Sequence, residues 1–230
     1  INRQGYPMDA LFSYRYDGLN NIGAPMAMDR SGKPVILDFY GPVIDVAFED
    51  LVYSGTTTPK YVLGLNNQFT VGSFDLSFLF MYYGGHVMRV QQPDPDDQGA
   101  YSDMALEGSG NHWRKPGDEA YTDVPGFVPG NSQDPLYWSL FARGAYEAAS
   151  KFVRKADYIR LRDVVVTYNV KASFLKKIGF AQTQLRGQVQ NAFRYTFSGN
   201  DIDPDAIDRM SGIRTLPQQP LYSFSLFTKF

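Results

Sequence analysis

Residues 182–197, QTQLRGQVQNAFRYTF, alternate polar and apolar side chains with a period of two. Gln182, Gln184, Arg186, Gln188, Gln190 and Arg194 fall on one side, and Leu185, Gly187, Val189, Phe193, Tyr195 and Phe197 on the other. Successive side chains of a strand point to opposite faces, so this segment is a strand with one polar and one apolar face. Two settings accept it. In a soluble sandwich the apolar face packs on a second sheet and the polar face meets bulk water. In a membrane barrel the apolar face meets lipid and the polar face lines an enclosed aqueous lumen. The alternation by itself leaves both open.

Five more segments carry the same period and strand-forming residues. The first, DALFSYRYDGL (9–19), sets Ala10, Phe12, Tyr14 and Tyr16 against Ser13, Arg15 and Asp17. YVLGLNNQFTV (61–71) sets Tyr61, Leu63, Leu65, Phe69 and Val71 against Gly64, Asn66, Gln68 and Thr70, and FDLSFLFMYYGG (74–85) turns Phe74, Leu76, Phe78, Phe80 and Tyr82 to its apolar side. IRLRDVVVTYNV (159–170) opposes Val164, Val166, Tyr168 and Val170 to Asp163, Thr167 and Asn169, and LYSFSLFTKF closes the chain.

The connections sort by length. Strands two and three are joined by VGS (71–73), and strands four and five by KASFLKKIGFA (171–181), one or two helical turns long. The other three connections, 18–60, 84–158 and 198–220, are long and rich in Gly, Pro, Asn and Asp. For antiparallel neighbours this places every long loop at one end of the sheet and every short turn at the other, as in outer-membrane barrels with long extracellular loops and short periplasmic turns. Each strand is about the 9 to 11 residues that cross a bilayer at a tilt. Tyr16, Tyr61, Tyr82, Tyr168, Tyr195 and Tyr222 lie near strand ends, where an aromatic girdle meets headgroups.

Composition excludes several classes. Aromatic residues make up 15% of the chain and mean hydropathy is −0.31. No window approaches the roughly 18 consecutive apolar residues of a spanning helix, so a membrane protein here must be a β protein. Cysteine is absent, which removes disulfides and thiol chemistry. A net charge of −2 offers no basic field for nucleic acid. Six strands are too few for a closed barrel, whose minimum is about eight, so further strands must complete the sheet. The chain also begins at Ile1 without a secretion leader. It is therefore expected to be the C-terminal portion of a larger barrel domain, 1–230, with its plug and earlier strands outside this chain.

The last strand ends on Phe230 with Leu226, Phe224 and Tyr222 at alternate positions, similar to the terminal aromatic signal of bacterial outer-membrane proteins; Thr228 stands where a bulkier residue is commoner. Five ordered motifs extend the resemblance: GYPMDALFSYRYDGLNNIGAP (5–25), LVYSGTTTPKYVLGLNNQFTVGSFDLSFLFMYYGGH (51–86), HWRKPGDEAYTDVP (112–125), ADYIRLRDVVVTYNV (156–170) and LRGQVQNAFRYTFSGNDIDPD (185–205). Together they resemble the C-terminal third of SusC/RagA-type TonB-linked outer-membrane proteins. The resemblance implies an all-β fold: an antiparallel transmembrane β-barrel of 22 strands, of which these are the last six. It also implies a location in the bacterial outer membrane, lipid around the barrel, a plug inside it, a SusD-like surface lipoprotein outside, and TonB acting through an N-terminal region absent from this chain. The implied function is import of oligosaccharides or peptides.

Catalysis finds no support, because His86 and His112 have no metal-ligand spacing and are expected to be solvated loop residues. The acidic runs 93–103 and 200–208 lack the EF-hand pattern and fit Asx-turns, so no metal and no cofactor are expected. Gln184, Arg186, Gln188, Gln190 and Arg194 are the candidates for contact with cargo or plug, since amides and guanidinium forks suit hydroxyl-rich or peptide groups. Trp113 in the longest loop could stack on a sugar or pack against the lipoprotein. Residues 135–153 place Leu136, Leu140, Ala148 and Phe152 on one stripe and suggest a short extracellular helix. Two alternatives to import stand beside it: a structural barrel subunit with no transport of its own, and a soluble glycan-binding sandwich.

Overall fold

A computed structural model of the chain describes residues 3–36, 48–91, 109–127, 146–171, 173–199 and 202–230. In chain order its elements are β1 (Ala10–Ser13), β2 (Arg15–Leu19), β3 (Pro25–Met28), β4 (Pro34–Ile36), β5 (Val52–Thr56), β6 (Tyr61–Val71), β7 (Phe74–Gly84), β8 (Val87–Arg89), β9 (Val153–Lys155), β10 (Tyr158–Asn169), α1 (Ser173–Lys177), β11 (Gln182–Thr196) and β12 (Leu221–Lys229). The chain forms two compact units, one of 1–57, 87–154 and 208–213, the other of 58–86, 155–207 and 214–230.

The second unit is one antiparallel sheet in the order β12-β11-β10-β7-β6. Its register carries the alternation from strand to strand. Leu65, Phe80 and Leu161 stand side by side, as do Phe69, Leu76, Val166, Gly187 and Phe224. Every strand therefore gives its main alternating apolar row to the same face, while Val62, Leu79, Met81, Val165 and Leu221 stand among the polar residues of the other. That face stays open: Leu185 is 49% exposed, Phe193 55%, and Phe224 88%. An open apolar sheet face of this extent is a surface built for contact with lipid or protein.

One irregularity keeps the faces in phase. β10 holds an extra residue, Arg162, between Leu161 and Asp163, where β7 passes directly from Phe80 to Leu79. This bulge reverses the parity of the strand, so Ile159 and Leu161 share a face with Val164, Val166 and Tyr168. Opposite the bulge, Asn191 of β11 takes φ +53, a left-handed conformation that asparagine tolerates better than most residues.

β6 and β7 meet through a two-residue turn whose first position, Gly72, has φ +63, natural to glycine and matched to hairpin twist. α1 occupies the short β10–β11 connection. The long connections β7–β10 and β11–β12 leave from the other end, so the sorting by length holds within this sheet. Aromatic residues mark both ends. Tyr82 and Tyr195 flank Ile159 at the long-connection end, and the Phe74 and Tyr168 rings lie 4.7 Å apart at the other.

The first expected strand departs from this plan, leaving five strands in the sheet rather than six. Residues 9–19 divide at Tyr14: β1 pairs with β5, and β2 with β3 of the three-stranded sheet β2-β3-β4, all in the first unit. Ala10, Leu11, Phe12 and Ser13 are all buried, so protein covers both faces. Tyr6, Phe12 and Tyr53 form a ring cluster with centroids 4.9 to 5.7 Å apart. The alternating aromatics here pack a small protein core instead of presenting an open face. Tyr16 accordingly leaves the expected girdle; its hydroxyl donates to the Asp123 carbonyl at 2.8 Å, and burial, then the Asp123 charge, push its pKa up.

Of the helix expected over 135–153, residues 135–145 lie outside the described residues. Of the rest, Tyr146 and Glu147 are helical, Ala148 and Ala149 turn out of the helix, and a 3-10 helix at Ser150–Phe152 leads into β9, with Tyr146 and Phe152 buried edge to face at 4.9 Å.

Candidate functional site: the polar face of the sheet

The polar face is wired across the strands. At the short-turn end Thr70 Oγ1 donates to Asp75 Oδ1 at 2.6 Å, Asn169 Nδ2 to Asp75 Oδ2 at 2.8 Å, and Gln184 Nε2 to Asn169 Oδ1 at 2.7 Å. These bonds span β6, β7, β10 and β11. At mid-height Gln188 Nε2 donates to Asp163 Oδ1 at 2.8 Å, and Arg186 Nη2 to Gln188 Oε1 at 3.2 Å. Arg186 Nε is buried without a hydrogen-bond partner. Gln190 is exposed opposite Asp163 and Leu221.

The long-connection end carries a group the sequence did not announce. Arg160 Nη2 donates to both carboxylate oxygens of Asp203, at 2.7 and 2.9 Å, and Arg194 Nη1 lies 2.8 Å from Asp203 Oδ2. Arg160 Nη2 and Arg162 Nη2 each lie 3.2 Å from Asp205 Oδ2, and the Tyr158 hydroxyl donates to Asp205. Tyr83 stacks on Tyr158 at 4.7 Å and 11°, and Arg162 donates to the Tyr83 hydroxyl at 3.2 Å. The Arg160 and Asp203 side chains are 3% and 1% exposed. Burial pushes the Asp203 carboxyl up, but the Asp205 amide, Arg160 and Arg194 outweigh it and hold the pKa below the usual carboxylate range. Residues 202–207 are thereby pinned to the arginine-bearing strands.

Among the five candidate wall residues, Gln184, Arg186 and Gln188 thus belong to cross-strand hydrogen bonds, Gln190 stands open, and Arg194 belongs to the pinned segment. Arg160, Arg162, Asp203 and Asp205 were not foreseen. The available signal was the broken alternation of IRLRD beside the acidic run DIDPD.

Trp113 lies in the first unit. Its indole Nε1 donates to Glu119 Oε2 at 3.0 Å, and its ring covers Gly23, where an added Cβ would lie 2.5 Å away. The Glu119 carboxyl is held below its usual range by its own backbone amide and then by the Trp113 N–H. Trp113 therefore spends its polar group inside its own loop and one ring face on the β2–β3 turn.

The histidines differ from expectation. His86 is 2% exposed, with Nδ1 3.7 Å from Asp157 Oδ1, because its carbonyl accepts from Ala156 N and draws the chain inward where it leaves β7. His112 is half-buried, bridged to Val124 with its ring 6.3 Å from Phe127. Among the described residues, no group of three or more His, Cys, Asp or Glu is placed to hold a metal ion. Asp208 binds the Met210 and Ser211 amides, which lower its pKa. Residues 93–103 lie outside the described residues.

A sheet with one open apolar face, one hydrogen-bonded polar face and turns sorted by length is the wall of a transmembrane β-barrel. Comparison with known proteins gives the particular kind. TonB-dependent receptor P39 of Formosa agariphila is 26% identical over 181 residues, covering 73% of this chain and 15% of that protein. TonB-dependent receptor P3 of the same organism is 25% identical over 215 residues, covering 90% and 19%. No family profile matches the chain. In fold, it is similar to the RagAB peptide importer in its open-open state, with a TM-score of 0.63, 16% identity, and coverage of 98% of this chain and 23% of that one. The closed-closed state gives a TM-score of 0.60 and 18% identity over 95% of this chain and 23% of that one. The chain is thus similar, in sequence and in fold, to part of a SusC/RagA-type TonB-dependent receptor of the outer membrane, and spans less than a quarter of the length of these relatives. The relatives are named as receptors and importers rather than enzymes.

Proposed function

We propose that this chain forms the C-terminal wall of a TonB-dependent importer of the SusC/RagA type. The remaining strands and the plug come from sequence outside the chain. A SusD-like lipoprotein caps the outer side, TonB engages a region outside the chain, and outer-membrane lipid covers the apolar face. The cargo is an oligosaccharide or a peptide, moved without chemical change and without a cofactor. Within the lumen Arg186 and Gln190 are the wall residues with hydrogen-bonding capacity to offer plug or cargo, while Arg194 holds the segment 202–207 in place.

The observation that carries this proposal is the five-strand register that aligns an alternating apolar row of every strand, such as Phe69, Leu76, Val166, Gly187 and Phe224, on one open face and the hydrogen-bonded polar groups on the other. Its test is the pair Val189→Arg and Gln190→Arg in the intact protein. Val189→Arg puts a cation in hydrocarbon and should cost about 2 to 4 kcal/mol of folding free energy, whereas Gln190→Arg, at an exposed position of the polar face, faces water and should be nearly silent. Folding into liposomes measures both. Equal tolerance of the two would reverse or abolish the proposed orientation.

A further inference from the structure

We propose that the short-turn end of the sheet binds an anionic phospholipid, its headgroup in the cavity beside α1 and one acyl chain in the groove at Gly187. This rests on the membrane orientation proposed above. The cavity, of about 320 Å³, is lined by Val170, Lys171, Leu175, Phe180 and Thr183 among others. Thr183 is only 9% exposed, and its hydroxyl oxygen has no hydrogen-bond partner. A buried hydroxyl in that state loses the hydrogen bonding it had in water, and a ligand acceptor would restore it. Lys171 supplies an ammonium donor at the same cavity. No acidic residue occurs between 170 and 182, while the segment carries Lys171, Lys176 and Lys177. The strand carboxylate Asp75 belongs to the polar face, where Thr70 and Asn169 bind it. Among the described residues, no Asp or Glu side chain lines the cavity, and phosphate oxygens are acceptors that match a hydroxyl and an ammonium.

The apolar part continues from the same place. Thr183, Leu185 and Gly187 are successive residues on the apolar face of β11. At Gly187 a groove of about 500 Å³ opens between Val166 and Tyr168 on one side and Phe224 and Leu226 on the other. A Cβ added at Gly187 would meet only Phe224, at an ordinary 3.7 Å. The missing side chain is therefore not needed for close packing; its effect is an apolar trough on the strand face next to the headgroup cavity, Thr183 lining the one and Leu185 the other. A polar cavity at the rim beside a trough in the hydrocarbon band has the chemistry of one lipid of the periplasmic leaflet.

The experiment uses the full-length outer-membrane protein that contains this chain, purified in mild detergent, stripped of lipid and titrated with dioleoyl phosphatidylglycerol or phosphatidylcholine under native mass spectrometry. The intact protein should bind phosphatidylglycerol more tightly. Lys171→Gln should weaken that binding about fivefold, the effect of one lysine at a membrane surface, and weaken phosphatidylcholine, whose choline cation offsets its phosphate charge, less. Gly187→Leu, whose Cβ would meet Phe224 at an ordinary 3.7 Å and whose isobutyl group would occupy the trough, should weaken both lipids. Unchanged phosphatidylglycerol binding in Lys171→Gln and Gly187→Leu would overturn the site. Displacement of phosphatidylglycerol by millimolar inorganic phosphate would overturn it too, as a free-anion site. A protein that inserts normally yet shows none of these differences refutes the lipid site alone, whereas tolerance of Val189→Arg refutes the orientation beneath it.

Discussion

Arg160 shows what one side chain does on the polar face. Its guanidinium binds both oxygens of Asp203 at a place where both side chains are almost fully enclosed. Breaking a buried pair from one side leaves a charge without its partner, so Arg160→Met is expected to cost about 3 to 5 kcal/mol. Arg160→Lys keeps the charge but not the planar fork, and should recover part of the loss. Urea unfolding of the intact barrel in detergent measures both. The same pair sets a pH response. Asp203 has a lowered pKa when folded, so its contribution is complete above the unfolded value of about 3.9 and is lost as pH falls through the lower folded value. Hydrogen exchange of 202–207, corrected for its intrinsic rate, should stay flat from about pH 8 to pH 5 and rise only below about pH 4. A rise near neutrality would mean that another group holds the segment.

At the scale of the strand, legibility depended on whether one partner or several decide the conformation. β6, β7, β11 and β12 were readable because one alternate row of each is apolar along most of its length, even where Leu79, Met81 or Leu221 adds an apolar residue to the other row, and lipid and water decide alternate positions independently. Residues 9–19 alternate almost as well, yet fold into a protein core, because aromatic side chains suit a small packed cluster as well as a membrane face. IRLRDVVV was half readable: Val164, Val166 and Tyr168 showed their face, but Ile159 and Leu161 fell out of phase until the bulge at Arg162 restored them. The Arg160–Asp203 pair was not readable at all, since its members stand 43 residues apart and each looks like an ordinary polar residue. Asn191, across from the bulge, gives the test at this scale. At φ +53 a β-branched side chain is strained, so Asn191→Val should destabilise the barrel by about 1 to 2 kcal/mol, whereas Asn191→Gly should be close to neutral. Heat-modifiable gel migration against temperature separates the two variants. Equal melting would show that the bulge does not depend on the left-handed residue.

Considered as one sheet, the second unit ends on β6 at one edge and β12 at the other. Each outer edge presents backbone N–H and C=O groups that pair with nothing in this sheet. Water can satisfy such groups, but hydrocarbon cannot, and each one left open in lipid costs several kcal/mol. Charged or proline edge residues protect soluble sheets from mispairing; Tyr61–Val71 has neither, and Leu221–Lys229 has a single lysine at its end. Five strands also fall short of the roughly eight needed to close a barrel. The same apolar face that stabilises an inserted barrel therefore makes this sheet adhesive by itself. Refolded alone in detergent, residues 1–230 should give mixed oligomers with no heat-modifiable monomer on gels. Refolded with the rest of the intact protein supplied in trans, they should yield a heat-modifiable species of the combined mass, because the added strands pair both edges at once. A stable, monodisperse and heat-modifiable monomer from the chain alone would show that both edges are already protected, and the partial-barrel architecture would have to be abandoned.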